Sequence, residues 1–198
     1  MATINVPRPT TAVRGRPRRA GAPYSPSDVD LRMMRRAMDL ARRAADEGEV
    51  PVGAVIYRGT EVVAEGWNLR EATDDPTAHA ELIAMSRAGR ELREWRLNDC
   101  SLAVTLEPCP MCAGAMVNAR LGRVVYGATD PKAGACDTLY EIPTDRRLNH
   151  RVDVVGGVLA DECGDLLREF FRRRRKENKA RRKAEAEAGR RTAGPGGG

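Results

Sequence analysis

SLAVTLEPCPMCAGAMVNARLGRVVYGATD, Ser101 to Asp130, carries the reading of the fold. SLAVTLE is an apolar run of strand length, CPMCAGAMVNAR a helix of small residues, and GRVVYGATD a second β-rich run. Upstream, Leu31, Met34, Met38 and Ala41 recur at helical steps to about Glu47, with Ser27 or Asp28 as N-cap and Gly48 as the stop. PVGAVIYRGTEVVAEGW reads as a hairpin around Arg58-Gly59-Thr60, and NLREATDDPT as a polar loop. Pro76 is placed to open a helix through AHAELIAMSRAGRELRE. Downstream, Asp130 to Arg151 is irregular and polar, and RVDVVGGVLA supplies a last strand. A long helix from Asp161 to Ala188 outlives its apolar face, which ends at Phe171. The order α-β-β-α-β-α-β-β-α predicts a mixed sheet covered by helices, an α/β sandwich.

A chain of 198 residues has room for one domain with a proper core, and 4% aromatic residues make that core mostly aliphatic. The net charge of +6 is unevenly spread. Residues 1–27 hold five Arg and no acid, and residues 168–191 hold twelve Lys or Arg against four Glu. The stretch between is acidic, so the two ends are the parts suited to a polyanion, or else are solvated tails. The Arg- and Pro-rich residues 1–27 and the tail 185–198 are expected to be disordered. No apolar run approaches membrane-spanning length, and the N-terminus lacks the apolar segment of a secretory signal. Five cysteines, an odd number without framework spacing, fit the reducing cytoplasm.

Cys109 and Cys112 alone decide nothing, since C-x-x-C serves redox couples and metal sites alike. The chain has two histidines. His79 sits where a loop feeds a helix, with Glu81 two residues on, and a first-turn position lets both lean towards the open helix end. One His and two Cys make three ligands, the number of a catalytic zinc with its fourth position open to water. A helix N-terminus favours Cys109 and Cys112 as thiolates, and Pro110 costs nothing where amides lack intrahelical partners. Zinc lowers the pKa of a bound water towards 7, and Glu81 is placed to move protons from that water to a ring nitrogen and a leaving amine. The chemistry indicated is hydrolytic deamination.

H-x-E followed by P-C-x-x-C is the signature of zinc-dependent nucleobase deaminases. The chain resembles, more narrowly, the bacterial tRNA-specific adenosine deaminases from about Leu31 to Lys183. EVPVGAVI, EGWN, DPTAHAE, VTLEPCPMCAGAM, GRVVYGATDPKAGA, NHRV and GVLADECGDLLREFFRRRR carry the likeness. The resemblance implies a cytidine-deaminase-like α/β/α sandwich with a central five-stranded mixed sheet over residues 28–184. It also implies a homodimer with one Zn2+ per subunit, and conversion of the wobble adenosine to inosine in a tRNA anticodon stem-loop, typically an arginine tRNA reading ACG. On the same ground His79, Cys109 and Cys112 are the zinc ligands and Glu81 the proton shuttle. Asn68 and the Ala80 backbone contact the base, Val50 walls its pocket, and Asp130 lies near the ribose. Thr129 stands where family members often carry Arg. Arg146 and Arg147, in the irregular segment, and Arg173, Arg174 and Arg175, after the aromatic pair Phe170-Phe171, are candidates for RNA phosphates. His150 is expected to hold a turn, and Cys100, Cys136 and Cys163 to be unligated.

Overall fold

The computed structural model describes residues 26–192, with side chains through Glu185. The expected disorder of the N-terminal extension falls, but for its last two residues, outside the described part. The elements are α1 (Asp28–Asp46), β1 (Gly53–Arg58), β2 (Glu61–Trp67), α2 (Arg70–Thr73), α3 (Ala80–Leu92), β3 (Ser101–Leu106), α4 (Pro110–Asn118), β4 (Arg123–Ala128), a 3-10 turn (Ile142–Thr144), β5 (Asp153–Val155) and α5 (Ala160–Thr192).

The five strands form one sheet in the order β2-β1-β3-β4-β5. β1 is antiparallel to β2 and β3, whereas β3, β4 and β5 run parallel. The mixed sheet follows from the connections: a tight turn at Gly59 reverses the chain, and the α4 crossover returns β4 parallel to β3. Strand residues alternate between two cores, each covered by helices. Ala54, Ile56, Leu102, Val104, Val124 and Tyr126 face Ala84, Met85 and Ala88 of α3 and Cys112 and Met116 of α4. Val55, Tyr57, Ala103, Val125 and Val155 face Met33, Met34, Ala37 and Met38 of α1 and Cys163 of α5. Both sheet faces are therefore dry, and the predicted three-layer α/β/α sandwich is what forms.

Local chemistry sets the helix ends. Ser27 caps α1 in a reciprocal box: its Oγ accepts from the Asp30 amide at 3.1 Å, and Asp30 Oδ2 accepts from the Ser27 amide at 3.0 Å. Gly48 has φ +84, the left-handed conformation that closes a helix without a side-chain penalty. Three expectations are corrected. The polar loop after Asn68 contains the single turn of α2. Pro76 does not open α3. Asp75 Oδ1 accepts from the Thr77 amide at 2.7 Å, and that turn delays the helix to Ala80, with His79 as N-cap. α5 continues to Thr192, through most of the stretch expected to be disordered, because an Ala-rich sequence with i,i+4 pairs such as Arg181–Glu185 at 3.7 Å supports helix without tertiary contact.

Candidate metal centre and base pocket

Two helix N-termini on the same side of the sheet build the centre. His79 is the N-cap of α3 and Cys109 the N-cap of α4, both with extended backbone, so their side chains lie beside the open helix ends. Pro110 occupies the first turn of α4 as expected, and Cys112 follows on the next positions, fully buried. His79 Nδ1 lies 3.7 Å from Cys109 Sγ and 3.6 Å from Cys112 Sγ. The three donor atoms all fall within 4.8 Å of one another. Ligands at zinc's usual bond lengths sit about 3.6 Å apart along the edges of a tetrahedron. The observed spacing and the N/S donor set therefore fit Zn2+ with one position left over.

The surroundings favour anionic sulfur. The hydrogen bond from Cys112, joined by His79, brings the Cys109 thiol down to about 4. Cys112 is pushed up as the donor of that pair, and by its burial beside Glu81. The hydrogen bond to Cys109 raises His79. Glu81 is 4% exposed, and burial raises its carboxyl. It is close enough to Cys112 to hydrogen-bond it, so the second residue of α3 shares the centre with its N-cap. An acid poised to hold a proton inside a dry site is what proton transfer at neutral pH requires.

Asn68, 5% exposed, lies just past the end of β2 and donates through Nδ2 to Glu49 Oε2 at 3.0 Å. Its amide oxygen is left as the group it can offer a ligand. Val50 is half-buried next to Glu49, and Ala80 is the buried first residue of α3, with an amide that has no intrahelical acceptor. Asp130 lies just past β4 in the role of a turn former, its Oδ1 accepting from the Lys132 amide at 2.9 Å.

Two carboxylates carry weight the sequence reading did not give them. Glu49, 0% exposed, also accepts from the Ala72 amide at 2.8 Å and so ties α2 to the pocket. Glu107, 2% exposed, directly follows β3 and collects the amides of Asp130, Cys136, Asp137 and Thr138 at 2.9–3.2 Å, together with the Thr138 hydroxyl. Burial would raise it, but Thr138 and those amides hold it below its ordinary value. The loop after β4 is thereby wrapped onto the loop that carries Cys109.

The arginine candidates separate. Arg146 is exposed, while Arg147 forms a two-pronged pair with Asp145 at 2.6 and 3.0 Å. Arg173 donates to the Ala45 carbonyl at 2.9 Å, and Arg174 lies 6.0 Å over Phe170. Arg175 is exposed. His150 Nε2 lies 2.7 Å from the Leu121 carbonyl, a tie to the chain just after α4, and Cys100, Cys136 and Cys163 are buried thiols.

Residues 29–175 match the family described as MafB19-like deaminase. A tRNA-specific adenosine deaminase of Bacillus subtilis is 48% identical over 76% of this chain and 93% of its own length. Another, of Haemophilus influenzae, is 46% identical over 77% and 89%. Among solved structures, a tRNA:A34 deaminase studied for A-to-I editing at the wobble position superposes with a TM-score of 0.66 at 38% identity, covering 69% of this chain and 99% of that one. A guanine deaminase of Nitrosomonas europaea, 23% identical with a TM-score of 0.61 over 71% and 83%, shares the fold. Relatives of this identity, matched over nearly their whole length, place the chain in the tRNA-specific adenosine deaminase family.

Proposed function

We propose that this protein deaminates adenosine to inosine at the wobble position of a tRNA anticodon, with an arginine tRNA reading ACG as first substrate. The observation that carries the reading is Glu81, a buried carboxylate that touches the His79–Cys109–Cys112 trio without belonging to it. A structural metal site has no use for such a group. Zn2+ held by the trio would supply the Lewis acidity that makes a water nucleophilic at neutral pH. Glu81 would take a proton from the attacking water as the water oxygen bonds to C6 of the adenine, and pass that proton to N1. Glu81 then takes the proton of the new C6 hydroxyl and delivers it to the exocyclic nitrogen, the C6–N bond breaks as the C6 carbonyl forms, and adenosine and water give inosine and ammonia. Asn68, through its amide oxygen, and the Ala80 amide hold the ring; Val50 closes one side, and Asp130 flanks the ribose.

The adenine must be taken from its stack, at a cost of a few kcal/mol that phosphate contacts offset. Arg146, Arg147, Arg173, Arg174 and Arg175 are the residues assigned to those contacts, with Arg147 partly neutralised by Asp145 and Arg173 partly engaged with α1. The enzyme acts as a homodimer in the reducing cytoplasm. Trp95, 58% exposed, beside an apolar groove of about 480 Å3 lined by Leu82, Met85, Ala115 and Ala119, offers a second copy its place. Among the described residues no helix is long and apolar enough to cross a membrane.

The test is Glu81→Ala, assayed for inosine on an ACG anticodon stem-loop beside free adenosine, cytidine and guanine. Wild type should convert the stem-loop at its wobble adenosine. The variant should keep fold and zinc and lose about 10²–10⁴-fold in turnover. Persistent turnover in the variant would remove Glu81 from the chemistry, and wild-type activity on a free base alone would move the function to small-molecule deamination.

A further inference from the structure

From Arg172 to Glu185, α5 sorts its charges by face. Arg172, Arg175, Lys176, Lys179, Arg182 and Lys183 recur at helical steps and form one continuous basic stripe. Cys163, Leu166 and Phe170 mark the side that packs on the body, and continuing that side along the helix leads to Arg173, Arg174, Glu177 and Arg181. The stripe therefore lies opposite the packed face. Between Arg172 and Glu185 the acids occur on the packed side's continuation and are engaged there, Glu177 3.8 Å from Arg173 and Glu185 3.7 Å from Arg181, while at the start of the stripe Arg172 lies 4.0 Å from Glu169. On the stripe, Arg175, Lys176, Lys179 and Arg182 have no carboxylate within 4 Å among the described residues. A helix that merely stayed soluble would gain nothing from separating its signs in this way.

We propose that this stripe is a phosphate track for the double-helical stem of the tRNA, separate from the base pocket, so that the RNA is held both by its loop and along its stem. The inference rests on the tRNA reading above and adds a second binding surface to it. The stripe runs about 16 Å along a straight helix, a rigid row of cations suited to the regular phosphates of an A-form stem, which proteins read by shape and backbone. All residues from Phe171 to Glu185 are exposed. From Arg172 to Glu185 the helix has no apolar side chain larger than Ala, so it lacks the face that an anionic membrane surface would require.

The test is the triple variant Lys176→Ala/Lys179→Ala/Arg182→Ala, with Arg181→Ala on the opposite side as control. Alanine preserves helix propensity, and circular dichroism confirms that α5 is retained. Dissociation constants are measured against the full tRNA and against a stem-less anticodon-loop oligonucleotide at several salt concentrations, with single-turnover rates at saturating tRNA. In the triple variant the constant for tRNA should rise about tenfold or more and the salt slope fall by about two, while the saturated rate and loop binding stay unchanged. Arg181→Ala should follow wild type. Unchanged tRNA binding in the triple variant, equal losses on the stem-less loop, or loss of binding to phosphatidylserine vesicles instead of tRNA would each overturn the track. Wild type that binds tRNA but never deaminates it would remove the proposed activity and leave the track standing; wild type that binds no tRNA overturns both.

Discussion

Glu49 receives Asn68 Nδ2 at 3.0 Å and the Ala72 amide at 2.8 Å, so one wholly buried carboxylate fixes which end of the Asn68 amide faces the pocket. Removing it leaves the buried Asn68 amide without its acceptor, at a cost of about 1–3 kcal/mol, and releases the amide of the exposed Ala72. Glu49→Ala should therefore lower kcat/KM on tRNA much as Asn68→Ala does, and the double variant should lose little more than either. A cycle built from these three proteins should show a coupling of about 0.5–3 kcal/mol; additive losses would mean that Asn68 holds its place without Glu49. The contrast with His79, Glu81, Cys109 and Cys112 explains what the sequence discloses at this scale. Those four are legible because close spacing along the chain and position at helix starts already constrain where they point. Glu49 and Glu107 act on partners 19–31 residues away, mostly backbone amides, which leave no trace in residue type. Glu107 stands within the quoted motif, and its five donors become visible only when the loop after β4 closes over it.

At the scale of elements, α3 must lie close to the hairpin, because its first turn carries His79 and Glu81. Gly66 on β2 makes the approach possible: a Cβ there would meet the Ala80 carbonyl oxygen and come within 2.8 Å of the Ala84 amide nitrogen. These are backbone atoms of α3, which yield only if the whole helix moves. Gly66→Ala should cost about 1–3 kcal/mol by overpacking, read in denaturant midpoint, and should also lower metal content, since the displaced turn separates His79 from the two cysteines. Full metal occupancy in a destabilised Gly66→Ala protein would show that α3 adjusts without disturbing its N-terminus. Element types were legible because the strands alternate between two buried faces and α1 repeats its apolar residues, including Met34, Met38 and Ala41, at helical steps. The start of α3 was less so, because Pro76 is compatible with a helix opening while the Asp75–Thr77 turn consumes those residues first. The long α5 is legible as a helix that outlives its apolar face, since losing that face ends packing without ending the helix, and only its last run from Gly189 to Thr192 goes beyond the sequence reading.

For the whole molecule, the trio joins α3 to α4 through residues 30 and 33 positions apart, on one side of the sheet. An ion bound only by the folded chain stabilises it by about 4 kcal/mol when free metal exceeds its dissociation constant a thousandfold. For a body of this size, each kcal/mol moves the melting midpoint by about 2–4 °C. Stripping Zn2+ with a chelator at neutral pH should therefore lower the midpoint by about 8–16 °C, and adding Zn2+ back should restore it. The five cysteines make the assignment selective, since all are free thiols and only Cys109 and Cys112 lie beside His79. Cys112→Ala should melt at the same temperature with and without chelator. Cys163→Ala, altered in the other core, should retain wild-type metal content and the full response to chelator. A wild-type midpoint indifferent to both chelator and added Zn2+ would leave His79, Cys109 and Cys112 as a hydrogen-bonded polar trio and take the metal out of the chemistry altogether.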